Sequence, residues 1–176
     1  MNRFLSFLLL VVSYSFLVPS ASAFQKDAEL AYTISFKEPA AHFAEVQLKL
    51  VSLDSAKTTL VLPVWTPGYY KILDNPAHII DFKVSTISGE LLKWHKIAKN
   101  KWLLENRQNA EVFVDYRVYA NRKSVAESNI SEEKAFMANT DIFMFPEGNL
   151  DQSVSLQVHL PKQWDKIATG LAEVDQ

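Results

Sequence analysis

Val112-Phe113-Val114-Asp115-Tyr116-Arg117-Val118-Tyr119 is the stretch that decides the class of fold. Val112, Val114, Tyr116 and Val118 recur at every second position, with Glu111, Phe113, Asp115 and Arg117 between them. Successive side chains of a strand point to opposite faces, so this spacing offers one apolar face to a core. The same period recurs on either side. Val46, Leu48 and Leu50 alternate with Gln47 and Lys49, and Ile80, Phe82, Val84 and Thr86 with Asp81, Lys83 and Ser85. Val154, Leu156, Val158 and Leu160 alternate with Ser155, Gln157 and His159. Further strands are expected at Leu30–Phe36, Thr58–Val64, Leu91–Trp94, Lys101–Leu104 and Ile142–Phe145.

Turn residues fall between these runs. Glu38-Pro39 ends the first strand, Asp54-Ser55 separates the second from the third, and Ser88-Gly89 and Lys99-Asn100 join neighbouring strands tightly. Ser131–Met137 is expected to form one or two helical turns, and no long 3.6-residue apolar repeat follows residue 23. Many short strands at spacings near ten residues predict a single all-β domain, an antiparallel β-sandwich-like fold.

Composition removes several kinds of function. The chain has 176 residues, 18 Lys plus Arg against 20 Asp plus Glu, and no cysteine. A near-neutral chain lacks the positive footprint of a nucleic-acid binder. Without cysteine there are no disulfides, thiolate nucleophiles or Cys-ligated metals. Residues 1–23 read as a secretory signal peptide: Arg3 forms a short basic start, Phe4–Val18 is uncharged and apolar, and Ala21-Ser22-Ala23 fits the small-x-small cleavage rule. The alternative is an uncleaved N-terminal anchor. The expected mature product, residues 24–176, is exported to the periplasm or the extracellular space with no transmembrane segment, and packing alone must stabilise it.

Leu62-Pro63-Val64-Trp65-Thr66-Pro67-Gly68-Tyr69-Tyr70-Lys71-Ile72 carries the most functional information. Pro67-Gly68 favours a type II turn, since Pro fixes φ at the first corner and Gly accepts φ > 0 at the second. Rigid aromatics flanking such a bend form a recognition surface at low entropic cost, or they cap the core at a hairpin corner.

Leu62 to Tyr70 resembles the Leu-Pro-x-Trp-x-Pro-Gly-x-Tyr signature of the glycyl aminopeptidase family of zinc metallopeptidases. Asp74 and His78 stand where the family continues that signature. Tyr32 with Pro39 and His42, Ser88-Gly89 followed by Trp102, Val114 to Ala120, Ala135-Phe136 through Phe143, and Leu160-Pro161-x-x-Trp164 with Thr169-Gly170-Leu171 agree in order. The resemblance covers nearly all of residues 28–171. It departs at Tyr69, where the family commonly has Ser, and at Leu73, Ala77 and Ala126, where basic residues are common.

The resemblance implies an N-terminal β domain that precedes a thermolysin-like catalytic domain and usually a PDZ-type domain. It assigns the zinc to that catalytic domain, on a His-Glu-x-x-His helix whose histidines hold the metal and whose Glu is the base. This sequence has no such motif: its histidines are His42, His78, His95 and His159, none with another at i+4. The expectation is therefore a chain that is inactive by itself, with no catalytic residue, no metal site and no cofactor of its own. The chain stops as though more were meant to follow Gln176. Trp65, Pro67, Gly68 and Tyr70 are the candidates for a substrate or interface wall, with Asp74 as a candidate partner for a substrate's ammonium group. The alternative is a stand-alone exported peptide- or glycan-binding module, or a remnant with no activity. His78 reads as a surface or cap residue and Glu132-Glu133 as a solvated turn. Ser124 and Ser128 have no base placed by sequence, and Trp94, Trp102 and Trp164 belong to core or rim.

Overall fold

A computed structural model describes residues 30–173 apart from 52, 54 and 107–110 and 149. The expected signal peptide and Asp54 of the Asp54-Ser55 turn lie outside these residues. The described strands are β1 (Leu30–Ser35), β2 (Phe43–Leu50), β3 (Lys57–Val61), β4 (Ile79–Thr86), β5 (Trp94–Ala98), β6 (Lys101–Glu105), β7 (Val112–Tyr119), β8 (Asn121–Ser124), β9 (Glu127–Ile130), β10 (Ala135–Phe136), β11 (Phe145–Pro146) and β12 (Val154–His159). One short helix, α1 (Asn139–Ile142), and two 3₁₀ turns, Pro39–Ala41 and Asn75–His78, interrupt them.

The strands form a five-stranded sheet in the order β12-β1-β2-β7-β4, a four-stranded sheet β11-β3-β6-β5 and a small sheet β10-β9-β8. The alternation read from the sequence sets which faces meet. Val112, Val114, Tyr116 and Val118 of β7 are buried, as are Ala44, Val46, Leu48 and Leu50 of β2. They face Leu60, Trp102 and Leu104 from the four-stranded sheet in one continuous core. Phe82 of β4 links the two sheets, with its ring 5.6 Å from that of Trp102 and 4.8 Å from that of Trp94. The expected all-β sandwich is what forms. Pairing is antiparallel throughout the described ladders except between β1 and β12, which run parallel.

Several boundaries differ from the sequence reading. Residues 91–93 do not start a strand: they carry the chain from one sheet to the other, with Leu92 N–H bonded to Val84 O and Glu105 N–H to Lys93 O. The strand there is Trp94–Ala98. β3 ends at Val61 rather than Val64, because Pro63 has no N–H to continue a ladder. Ser131–Met137 is not helical. Ser131 and Lys134 close a tight turn, Ser131 N–H to Lys134 O at 2.8 Å, and Ala135–Phe136 pairs with β9. The stretch 142–145 expected as a strand is split between the end of α1 and the start of β11. The β8–β9 pair was not anticipated, since Asn121-Arg122-Lys123-Ser124 carries no apolar alternation.

Register places the ends of the elements together. Ser35 pairs with both Glu45 and His159, Phe43 with Tyr119, and Ile79 with Val118. The ends of β1, β7 and β12 and the beginnings of β2 and β4 therefore share one end of the sandwich. The loop between β3 and β4 leads into this end through the Asn75–His78 turn.

Candidate functional site

The β3–β4 loop folds back on itself. Tyr69 N–H donates to Thr66 O at 3.0 Å and Gly68 has φ 84°, which is the expected type II turn with Pro67 and Gly68 at its corners. Lys71 N–H donates to Tyr69 O at 2.8 Å, and Leu73 N–H to Val64 O at 2.8 Å closes the base. Leu62 and Leu73 are the apolar anchors of the base, both buried. Leu62 also exchanges bonds with the β5–β6 hairpin, through its N–H to Asn100 O and its carbonyl to Asn100 Nδ2, both at 3.0 Å.

The tip behaves differently. Tyr70 is 96% exposed, Ile72 67% and Trp65 47%, with Pro67 and Gly68 also exposed. Three large apolar side chains thus stand in solvent on a loop that these three backbone bonds fold back on itself. These side chains do not cap the core, because a corner aromatic that did so would be buried.

The rigidity comes from a chain of buried polar contacts reaching back to the core. Tyr32 OH donates to Met144 O at 2.6 Å and Tyr116 OH to Ile142 O at 2.7 Å. Burial pushes both hydroxyls far above the ordinary tyrosine range, so they remain donors at any pH the protein meets. These bonds fix the segment after α1. One residue earlier than Asp141, Thr140 of α1 shares a 3.0 Å hydroxyl contact with Thr66 of the turn. Asn75, 1% exposed, donates through Nδ2 to Pro63 O and Thr140 O, each at 3.2 Å. No local pattern could reveal Asn75 or Thr140, because their partners lie up to 74 residues away.

The candidate residues divide into two groups. Trp65, Pro67, Gly68 and Tyr70 share the tip. Asp74 sits beyond the base, at the head of the Asn75–His78 turn, where its side chain makes no cap bond. It pairs with Lys99 Nζ at 3.0 Å, both side chains more than half exposed. An ion pair this open contributes about 0–1 kcal/mol, so Lys99 is readily exchanged for another cation.

The remaining polar residues are structural. Ser128 is buried; its Oγ donates to Asp141 Oδ1 at 2.6 Å and accepts from Ala138 N–H, while its own N–H donates to Asp141 Oδ2 at 2.7 Å. Among the described residues its partners are Asp141 and Ala138, and none is a histidine. Glu133 accepts from Ser131 Oγ on an exposed turn, as expected. His78 is more than a surface residue: it is half-buried and meets the guanidinium of Arg122. Leu73 and Ala126 are both buried, so apolar side chains suit these two departures from the family pattern. Among the described residues no three His, Asp or Glu side chains stand close enough to hold a metal ion, and no helix is long and apolar enough to cross a membrane.

The C-terminal segment leaves from the same end of the sandwich. After β12, Trp164 N–H bonds to Pro161 O, its ring packs 4.8 Å from that of Phe36, and its Nε1–H donates to Glu132 O at 2.8 Å. The model of the peptidase M61 N-terminal domain matches residues 31–176. This chain belongs to that family. A solved structure described as an aminopeptidase N family protein from Idiomarina loihiensis is similar, with a TM-score of 0.69 and 31% sequence identity. The match covers 76% of this chain and 22% of that one. No curated protein matches. The chain spans about a fifth of the length of that solved structure, and it is an N-terminal domain of a peptidase family.

Proposed function

We propose that this M61 domain is a non-catalytic β domain of a glycyl aminopeptidase-like metallopeptidase, packing on a thermolysin-like catalytic domain and lining its substrate cleft. The tip of the β3–β4 loop, with Trp65, Pro67, Gly68 and Tyr70, supplies the wall. The observation that carries this reading is a 96% exposed Tyr70 beside Trp65 and Ile72, on a loop fixed by hydrogen bonds. The path of the chain supports it, because β12 ends at the end of the sandwich where the loop enters β4. The family resemblance assigns zinc and its Glu base to the catalytic domain. Asp74 exchanges Lys99 for a substrate ammonium when a peptide is bound. The product is exported, to the periplasm or beyond, after cleavage of the signal sequence.

The test is a hydrolysis assay with glycyl p-nitroanilide. The purified chain alone is expected to give no turnover, and a catalytic domain of the family is expected to gain activity when this chain is added. Turnover by the chain alone would overturn the non-catalytic assignment. Tight binding of a peptide or glycan without any catalytic domain would favour a stand-alone binding module instead.

A further inference from the structure

A cluster of titratable groups lies beside the base of the aromatic loop. His78 ends the Asn75–His78 turn, and its ring lies 6.4 Å from that of Tyr119, which is 6.2 Å from His42 on β2's leading turn. His78 Nε2 meets Arg122 Nη2 of β8, and Arg122 Nη1 pairs with Glu127 of β9. The Glu127 side chain is only 14% exposed, so its carboxylate depends on that guanidinium. Asp74 precedes the turn, and its carboxylate and that of Asp141 in α1 both act on the His78 ring.

A guanidinium has five donors and no acceptor. Its contact with His78 therefore requires an unprotonated Nε2, which means the neutral ring with its proton on Nδ1. Protonation replaces that acceptor with a second cation. Imidazolium and guanidinium then compete for one mostly buried carboxylate, Glu127.

We infer that His78 is a pH-operated clip: neutral, it ties the turn below the aromatic loop to the β8–β9 hairpin through Arg122, and protonated, it releases that tie. The surroundings set the direction. Burial and Arg122 hold the imidazole below the ordinary histidine range, against the opposing pull of Asp74, Glu127 and Asp141. A base held low in the folded state stabilises fully above its unfolded value, near 6.5, and loses that contribution as pH falls through the lowered value. The clip is thus closed at neutral pH and opens in mild acid. It stands apart from the docking role, since it concerns the attachment of the loop base and not what covers the tip.

Hydrogen exchange read by mass spectrometry on the full chain tests it, between pH 7.5 and 5 and corrected for intrinsic exchange. Protection of residues 76–80 and 121–130 is expected to fall about tenfold or more in acid, the scale of one lost charge-assisted bond, while β2 and β7 stay unchanged. His78→Gln places a neutral acceptor near Arg122 at every pH and is expected to remove the step. His78→Ala is expected to exchange fast in both segments even at pH 7.5. A wild-type chain with no acid step in these segments, or a His78→Gln variant with the full step, would overturn the inference. Should His78→Ala fail to fold, the wild-type and His78→Gln profiles decide the question.

Discussion

Asn75→Ala tests whether the aromatic loop is held from within. Asn75 is 1% exposed and donates to two carbonyls, Pro63 O and Thr140 O, each at 3.2 Å. One such bond contributes about 0.5–1.5 kcal/mol net, so losing both costs about 1–3 kcal/mol. The bonds are at the long end of the N–H···O range, which favours the lower half of that interval. The truncation also leaves two carbonyls facing a void, which restores part of the cost. The expected loss is about 2 kcal/mol, or roughly 4–8 °C in Tm for a domain of this size. Guanidinium denaturation followed by near-ultraviolet circular dichroism measures it, with an unchanged m-value. Chymotrypsin cleavage at Tyr69 or Tyr70 is expected to accelerate as the loop loosens. Asn75→Asp, of equal size, sets a carboxylate against two carbonyls and is expected to be worse than Ala at pH 7. An Asn75→Ala variant within about 0.5 kcal/mol of wild type, or an Asp variant more stable than the Ala one, would refute the reasoning.

Gly68→Ala meets no atom within 4 Å, so its cost comes from φ 84° alone; a loss of about 1 kcal/mol is expected by chemical denaturation. Trp65→Ser/Tyr70→Ser removes exposed side chains and should leave the stability of the isolated chain within about 0.5 kcal/mol of wild type. Asp141→Asn bears on the buried carboxyl, which burial raises above the ordinary value of 3.8 against the two bonds from Ser128. A carboxyl raised in the folded state contributes stability below its unfolded value and loses it as pH rises through the raised one. The variant, which cannot titrate, is therefore expected to improve relative to wild type in denaturant titrations as pH rises above the ordinary carboxyl value of 3.8. A difference independent of pH would exclude that role.

The sandwich was legible because its determinant is local. Alternation in β2, β4 and β7 names the buried face directly, and Pro67-Gly68 names the turn type, with Gly68 at φ 84° as expected. The elements missed are those whose partners are remote. Nothing in Asn121-Arg122-Lys123-Ser124 is apolar, and it is a strand because β9 bonds to it and Arg122 meets Glu127 and His78. α1 replaces the start of an expected strand because Tyr116 and Tyr32, distant in sequence, hold the carbonyls of Ile142 and Met144. The site shows the same division. The turn at the tip was readable from Pro67-Gly68, while its aromatics left exposure and core capping both open; its supports, Asn75 and Thr140, look like ordinary polar loop residues until the fold brings them together. Asp74, the candidate partner for a substrate ammonium, carries a cation already, Lys99, which the sequence spacing does not show.

Calorimetric titration of the chain into the catalytic portion of an M61-family peptidase bears most directly on the docking role. Saturable one-to-one association is predicted, weakened more than tenfold in the Trp65→Ser/Tyr70→Ser variant while its folding stays intact. Wild-type chain that fails to associate, or a double variant that binds as tightly as wild type, would contradict the account.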